Sequence, residues 1–130
     1  MPILALDFDG VCHSYTSGWQ GVDACPDPPV EGLEAFLRLA LQHFDVYIHS
    51  SRSQVELGRR AMQAWFRRHI APEVVACLFF PEHKPPAFLT LDDRALTFTG
   101  TWPDVAALLA FVPWTRNTAP PNEQPPESAS

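Results

Sequence analysis

The stretch "PILALDFDG", residues 2–10, decides how the rest of the chain is read. A short apolar run, Ile3 to Leu6, leads directly into Asp7, Phe8, Asp9 and Gly10. Such a run reads as a buried strand of a parallel sheet. If the strand continues through Asp9, the two aspartates fall on one side, roughly 6–7 Å apart at a rise of about 3.3 Å per residue. Two uncompensated carboxylates at that spacing repel, and each resists burial. A divalent cation between them removes the conflict, and oxygen ligands of this type suit Mg²⁺. Gly10 permits a sharp turn and lets a ligand approach the main chain. The plainer alternative is a strand that ends in a turn, for which Asp and Gly are ordinary residues.

Length and composition narrow the class. The chain has 130 residues, 46% of them apolar and 18% charged, which suits one globular domain with a real core. A net charge of −6 argues against a general nucleic-acid coat protein. Cys12, Cys25 and Cys77 are odd in number and lack framework spacing. They read as reduced thiols of a cytoplasmic protein. Asp7 interrupts the first hydrophobic run too early for a signal peptide, and no stretch approaches the roughly 20 apolar residues of a membrane span.

The remaining pattern alternates strands and helices. Residues 11–29 are rich in Gly, Pro, Ser and Asp and read as a loop. Asp27-Pro28-Pro29 fits the start of a helix over 29–43, with Val30, Leu33, Phe36, Leu37, Ala40 and Leu41 at helical spacing. "DVYIHS" (45–50) is a second strand, and Ser53 to Glu56 fits a capping box opening a helix to Arg68. Strands are expected at 74–80, 87–93 and 95–100, and a last helix from Trp102 through Phe111. The fold expected is therefore α/β, a mostly parallel five-stranded sheet with helices on both faces. Residues 1–114 would form the domain, and 115–130 a Pro/Ser/Glu-rich disordered tail.

In such sheets ligands bind beyond the carboxyl ends of the strands. Polar residues collect there. Strand one ends in Asp7 and Asp9, strand two in Ser50, Ser51 and Arg52, and strand four in Asp92 and Asp93, while Lys84 lies in the loop after strand three. Phosphoryl transfer through an attacking carboxylate needs such parts.

This order of DxDG, strand-terminal Ser, Lys and Asp-Asp resembles the four motifs of the haloacid dehalogenase superfamily of phosphohydrolases, over residues 3 to about 112. The resemblance implies a single Rossmann-like core, with Asp7 as nucleophile and Asp9 as general acid/base. It implies that Ser50 and Lys84 hold the phosphoryl group, and that Asp7, the Asp9 carbonyl and one or both of Asp92 and Asp93 hold Mg²⁺. Gly10 and Ser51 join the phosphate-binding set. "SSR" is also similar to the Ser-x-Arg of the phosphatase half of polynucleotide kinase-phosphatases, which would make Arg52 a phosphate contact. Neither gap between motifs is long enough for a cap domain, which suits a phosphorylated end of a larger molecule.

Other features have competing readings. His13, Tyr15 and Trp19 could line a substrate entrance, with rings stacking on a base, or pack the 12–28 loop onto the sheet. His49 reads as a core or supporting residue. Arg59, Arg60, Arg67 and Arg68 read first as a solvated helix face and second as a nucleic-acid patch. Cys12 has no base beside it. The expectation is a Mg²⁺-dependent phosphomonoesterase acting on a phosphorylated substrate, a macromolecule or nucleic-acid end being among the open choices, with no membrane partner. A non-catalytic binding or regulatory domain is the alternative. A phosphoacceptor receiver domain fits poorly, because its acid pair would be adjacent. Oligomeric state is left open.

Overall fold

A computed structural model describes residues 1–115. Strand β1 (Ile3–Leu6) is followed by helix α1 (Leu33–Ala40) and strand β2 (Asp45–Ile48). A 3₁₀ turn (Ser51–Gln54) leads into helix α2 (Glu56–His69) and the single turn α3 (Pro72–Val75). Strand β3 (Leu89–Leu91) and helix α4 (Val105–Leu109) complete the order. The sheet is parallel throughout, ordered β2-β1-β3, with Leu4 opposite Val46 on one side and Leu89 on the other.

β1 is central because both of its faces are apolar: Leu4, Ala5 and Leu6 are all buried. α1 buries Leu33, Leu37 and Ala40, spaced to fall on one stripe. α2 buries Met62, Trp65 and Phe66, and Gly58 lets it close on the turn before it, since a Cβ there would stand 2.1 Å from the Arg52 carbonyl oxygen. These side chains join Phe8, Val46, Ile48, Ile70 and Leu78 in one core.

The five-stranded expectation is overturned: the sheet among the described residues has three strands and is not the Rossmann-like core the resemblance implied. The expected strand at 74–80 fails at Pro72, whose ring suits the first position of a helix and starts α3 instead. Only Phe79 reaches the sheet, bridging to Tyr47 in parallel sense. The residues expected as a strand at 95–100 follow β3 in the chain and make no ladder. The strand expected at 87–93 is confined to Leu89–Leu91. The final helix is five residues long and buries none of them, so it covers no face of the sheet.

Two helix starts also differ. α1 begins at Leu33, after Gly32 at φ 89°, and not at Pro29; the Asp27 carboxylate binds Ser17 across the loop instead of capping the helix. The capping box lies three residues earlier than expected. Ser50 and Ser53 exchange side-chain-to-backbone bonds around the 3₁₀ turn, and α2 starts at Glu56. The expected disordered tail lies, from residue 116 on, outside the described residues.

The strand order places the site. From β1 the chain crosses to β2 on one side and then to β3 on the other, so the direction of winding reverses at β1. Ligands of open parallel sheets bind outside the carboxyl ends of the strands at such a reversal. Asp7 is the first residue past that end of β1.

Candidate active site

Three carboxylates meet at this point. Asp7, Asp92 and Asp93 each offer an oxygen, and the three atoms lie within 4.8 Å of one another. Asp7 is brought there by β1, and its amide donates to the Leu91 carbonyl at 3.0 Å, which ties it to the end of β3. Asp92 and Asp93 follow directly from β3, and an Asp92 carboxylate oxygen accepts the Arg94 amide at 2.7 Å. Gly10 closes the group from above. Its φ is +82°, and a Cβ there would stand 2.2 Å from an Asp93 carboxylate oxygen, so a side chain is excluded both by conformation and by space.

The electrostatics of the cluster are severe. Asp7 is 3% exposed. Burial, followed by the charges of Asp92 and Asp93, pushes its carboxyl well above the usual range. Asp93 is also raised, first by burial, although its hydrogen bond with Asp7 pulls the other way. Three carboxylate oxygens this close together could hold a hard cation such as Mg²⁺.

Asp9 is not part of this cluster. β1 ends at Leu6, the chain bends at Phe8, and the alternation that would put Asp9 beside Asp7 is lost. The Asp9 carboxylate instead accepts from Arg52, through Nε at 2.9 Å and Nη2 at 3.1 Å. Its Oδ1 also lies 2.8 Å from His13 Nδ1. The His13 ring state follows from its other side: Nε2 accepts the Asp27 amide at 3.0 Å, so the proton sits on Nδ1 and is donated to Asp9.

Arg52 is fully buried. Beyond Asp9, its Nη1 donates to the carbonyls of Gly21 (3.0 Å) and Val22 (2.8 Å), and Trp19 covers it at 4.8 Å. Its guanidinium therefore faces the 12–28 loop and Asp9, not an open phosphate site. Ser50 is buried too; its Oγ accepts the Arg52 amide and contacts the Met62 sulfur at 3.5 Å. Ser51, half-buried, opens the 3₁₀ turn. Lys84 is exposed and lines a cavity of about 380 Å³ with His49, Gln54, Glu82 and His83. None of the three clustered aspartates lines that cavity. His49 is buried, and that burial lowers its pKa.

Of the loop aromatics, His13 and Tyr15 are buried and pack the loop, and Trp19 lies over Arg52. Cys12 is sealed in the core. The Arg52–Asp9 pair has no local signature, because 43 residues separate its partners. Neither has the bond from Trp114 Nε1 to the Gly10 carbonyl, at 2.7 Å across 104 residues. His13 at four residues from Asp9 is the one partner that spacing could have suggested.

The class that fold and site define is a small parallel α/β domain with a carboxylate trio, one member buried and two half-buried, at its topological switch point. The sequence matches no family model, and neither a curated protein nor a solved structure matches the chain. No helix among the described residues is long and apolar enough to cross a membrane.

Proposed function

We propose that the protein is a Mg²⁺-dependent phosphomonoester hydrolase that uses Asp7 as its nucleophile. The observation that carries this reading is the meeting of Asp7, Asp92 and Asp93 at the carboxyl end of the central strand. The order of the motifs, which resembles the haloacid dehalogenase phosphohydrolases, supports it. The five-stranded core of that family is not part of the proposal.

Asp7, the Asp9 carbonyl, Asp92 and Asp93 would hold the cation. When bound, the cation would neutralise charge on the phosphoryl oxygens and on the trio. An Asp7 carboxylate oxygen attacks phosphorus, and the bond from phosphorus to the leaving oxygen breaks. The departing oxygen takes a proton, from Asp9 as general acid or from solvent, and leaves as an alcohol. Water then attacks the same phosphorus, the bond to Asp7 breaks, and inorganic phosphate departs with Asp7 restored. Gly10 keeps the space above Asp93 clear.

A second reading, a cation-dependent binding domain without turnover, is favoured by the state of Asp9. Both of its oxygens already accept N–H donors, so a general acid at that position must first leave Arg52 or His13.

The two readings separate in one experiment. A panel of phosphate esters is assayed with Mg²⁺, with EDTA, and with Asp7→Asn. The hydrolase reading expects turnover that EDTA abolishes and Mg²⁺ restores, and a loss of several orders of magnitude in Asp7→Asn. Mg²⁺ binding by calorimetry with no turnover of any ester would establish the binding domain. Turnover indifferent to both EDTA and Asp7→Asn would sink the site altogether.

A further inference from the structure

Trp114 stands apart from the other exposed aromatic residues. Its indole is 65% exposed, yet its one polar atom is satisfied, by the Gly10 carbonyl at 2.7 Å. That bond fixes the ring at the turn that follows Asp7. Asp93 also stands against Gly10, close enough to exclude even a methyl group. A flat apolar surface is thus held open to solvent one glycine away from the carboxylate trio. Trp102, 83% exposed, offers a contrast: it rests on Phe98. The loop aromatics cannot serve in its place, since His13 and Tyr15 are buried and Trp19 lies over Arg52.

An exposed indole with its N–H edge tied down has its ring orientation set before a ligand arrives. It loses little freedom when a second ring lies against it. Every nucleobase and every aryl group presents such a face. We propose that Trp114 is a stacking platform for the leaving group, and that the ester cleaved at Asp7 carries a planar aromatic ring, as a nucleotide or a phosphorylated nucleic-acid end does. This rests on the hydrolase reading for the cleavage, though not for the binding.

The test uses the full-length Asp7→Asn protein with Mg²⁺, so that bound esters are not consumed. Calorimetry compares adenosine 5′-monophosphate with ribose 5-phosphate, which has the same phosphate and sugar without the base. Stacking of one base is expected to favour the nucleotide by about 5- to 150-fold in Kd. Adding Trp114→Ala should collapse that ratio toward one, and Trp114→Phe should retain most of it. The phenylalanine variant keeps a ring without the bond to Gly10, so it carries the test if the alanine variant does not fold. Including phosphotyrosine and a 5′-phosphorylated tetranucleotide distinguishes the source of the ring; tightest binding of either supports the stack and names its partner.

Equal affinity for nucleotide and ribose 5-phosphate overturns the proposal. So does equal weakening of both by Trp114→Ala, which is the signature of a merely structural residue. The two readings fail separately. Wild-type protein that hydrolyses no ester but keeps the Trp114-dependent ratio disproves the hydrolase and leaves the platform. Hydrolysis of both esters alike, unmoved by Trp114→Ala, disproves the platform and leaves the hydrolase.

Discussion

The chain up to about residue 80 and the segment from Phe88 to Trp114 obey different rules. The first holds every residue of the apolar core and nearly all of its buried polar contacts. The second contributes β3, Asp92, Asp93 and Trp114, yet Phe88, Leu89, Leu96, Phe98, Trp102, Val105 and Leu109 are each more than half exposed. Stability therefore resides in one region, while the site straddles both. Asp7 arrives on a strand fixed by the core, and its partners arrive on an edge strand fixed chiefly by its ladder to β1. Regions with few buried apolar contacts are those that open locally at low cost. Completing the trio thus depends on the less anchored half.

The comparison can be broken most severely at Arg52. Arg52→Met leaves the Asp9 carboxylate without its guanidinium, and strands the Gly21 and Val22 carbonyls. Removing one partner of a buried pair costs about 3–5 kcal/mol. Denaturant melts should show that loss; a change below about 1 kcal/mol would mean that the loop is not held by Arg52. Gly10→Ala acts where the two regions meet. The new methyl group would strike Asp93 and hold an unfavourable φ, at a cost on the order of 1–3 kcal/mol. Mg²⁺ binding should weaken with it, by calorimetry, because Asp93 must move. Unchanged affinity would show that Asp93 is not needed.

A smaller effect is expected at His49. Burial first, then the charges of Lys84 and His83, lower its folded-state pKa, with the Glu82 backbone opposing. The unfolded chain binds this proton below about pH 6.5 and the folded chain does not. Stability is retained above that pH and falls as pH drops toward the folded value, at no more than about 1.4 kcal/mol per pH unit from this residue. His49→Gln should flatten the slope of stability between pH 7 and 5; an unaltered slope removes His49 from the account. Least of all should follow from Leu109→Ser in α4. Leu109 is 69% exposed, and surface substitutions of this kind stay within about 0.5 kcal/mol. A loss above about 2 kcal/mol would show that α4 is buried in solution and that the two regions are not so unlike.

What the sequence disclosed follows the same division. β1, β2 and the apolar faces of α1 and α2 were legible because each carries a dense periodic pattern that the core then uses. Asp7 and the Asp92–Asp93 pair were legible from their places after strand-like runs. The strands expected at 74–80 and 95–100 were misread because β-branched and aromatic residues favour extended structure only where a neighbouring strand accepts them. Pro72 diverted the first, and among the described residues no strand stands beyond β3 for the second. Arg52 was legible as a residue of interest, but its direction was not. Whether a guanidinium faces a ligand or a carboxylate of its own chain is decided by contacts across 43 residues, which no local pattern records.

The loop from Cys12 to Pro28 has no helix or strand of its own, and by composition it would be expected to move freely. Its attachment to Arg52 implies otherwise. The Arg52 side chain donates to carbonyls of residues 21 and 22 while wholly enclosed, so the loop cannot lift without rehydrating a guanidinium in the interior. Opening of the loop and opening of the core should then be one event. In deuterium oxide, the loop amide of Ser14, bonded to the Pro28 carbonyl, should exchange at the slow rate of α2 and not at the rapid rate of a surface turn.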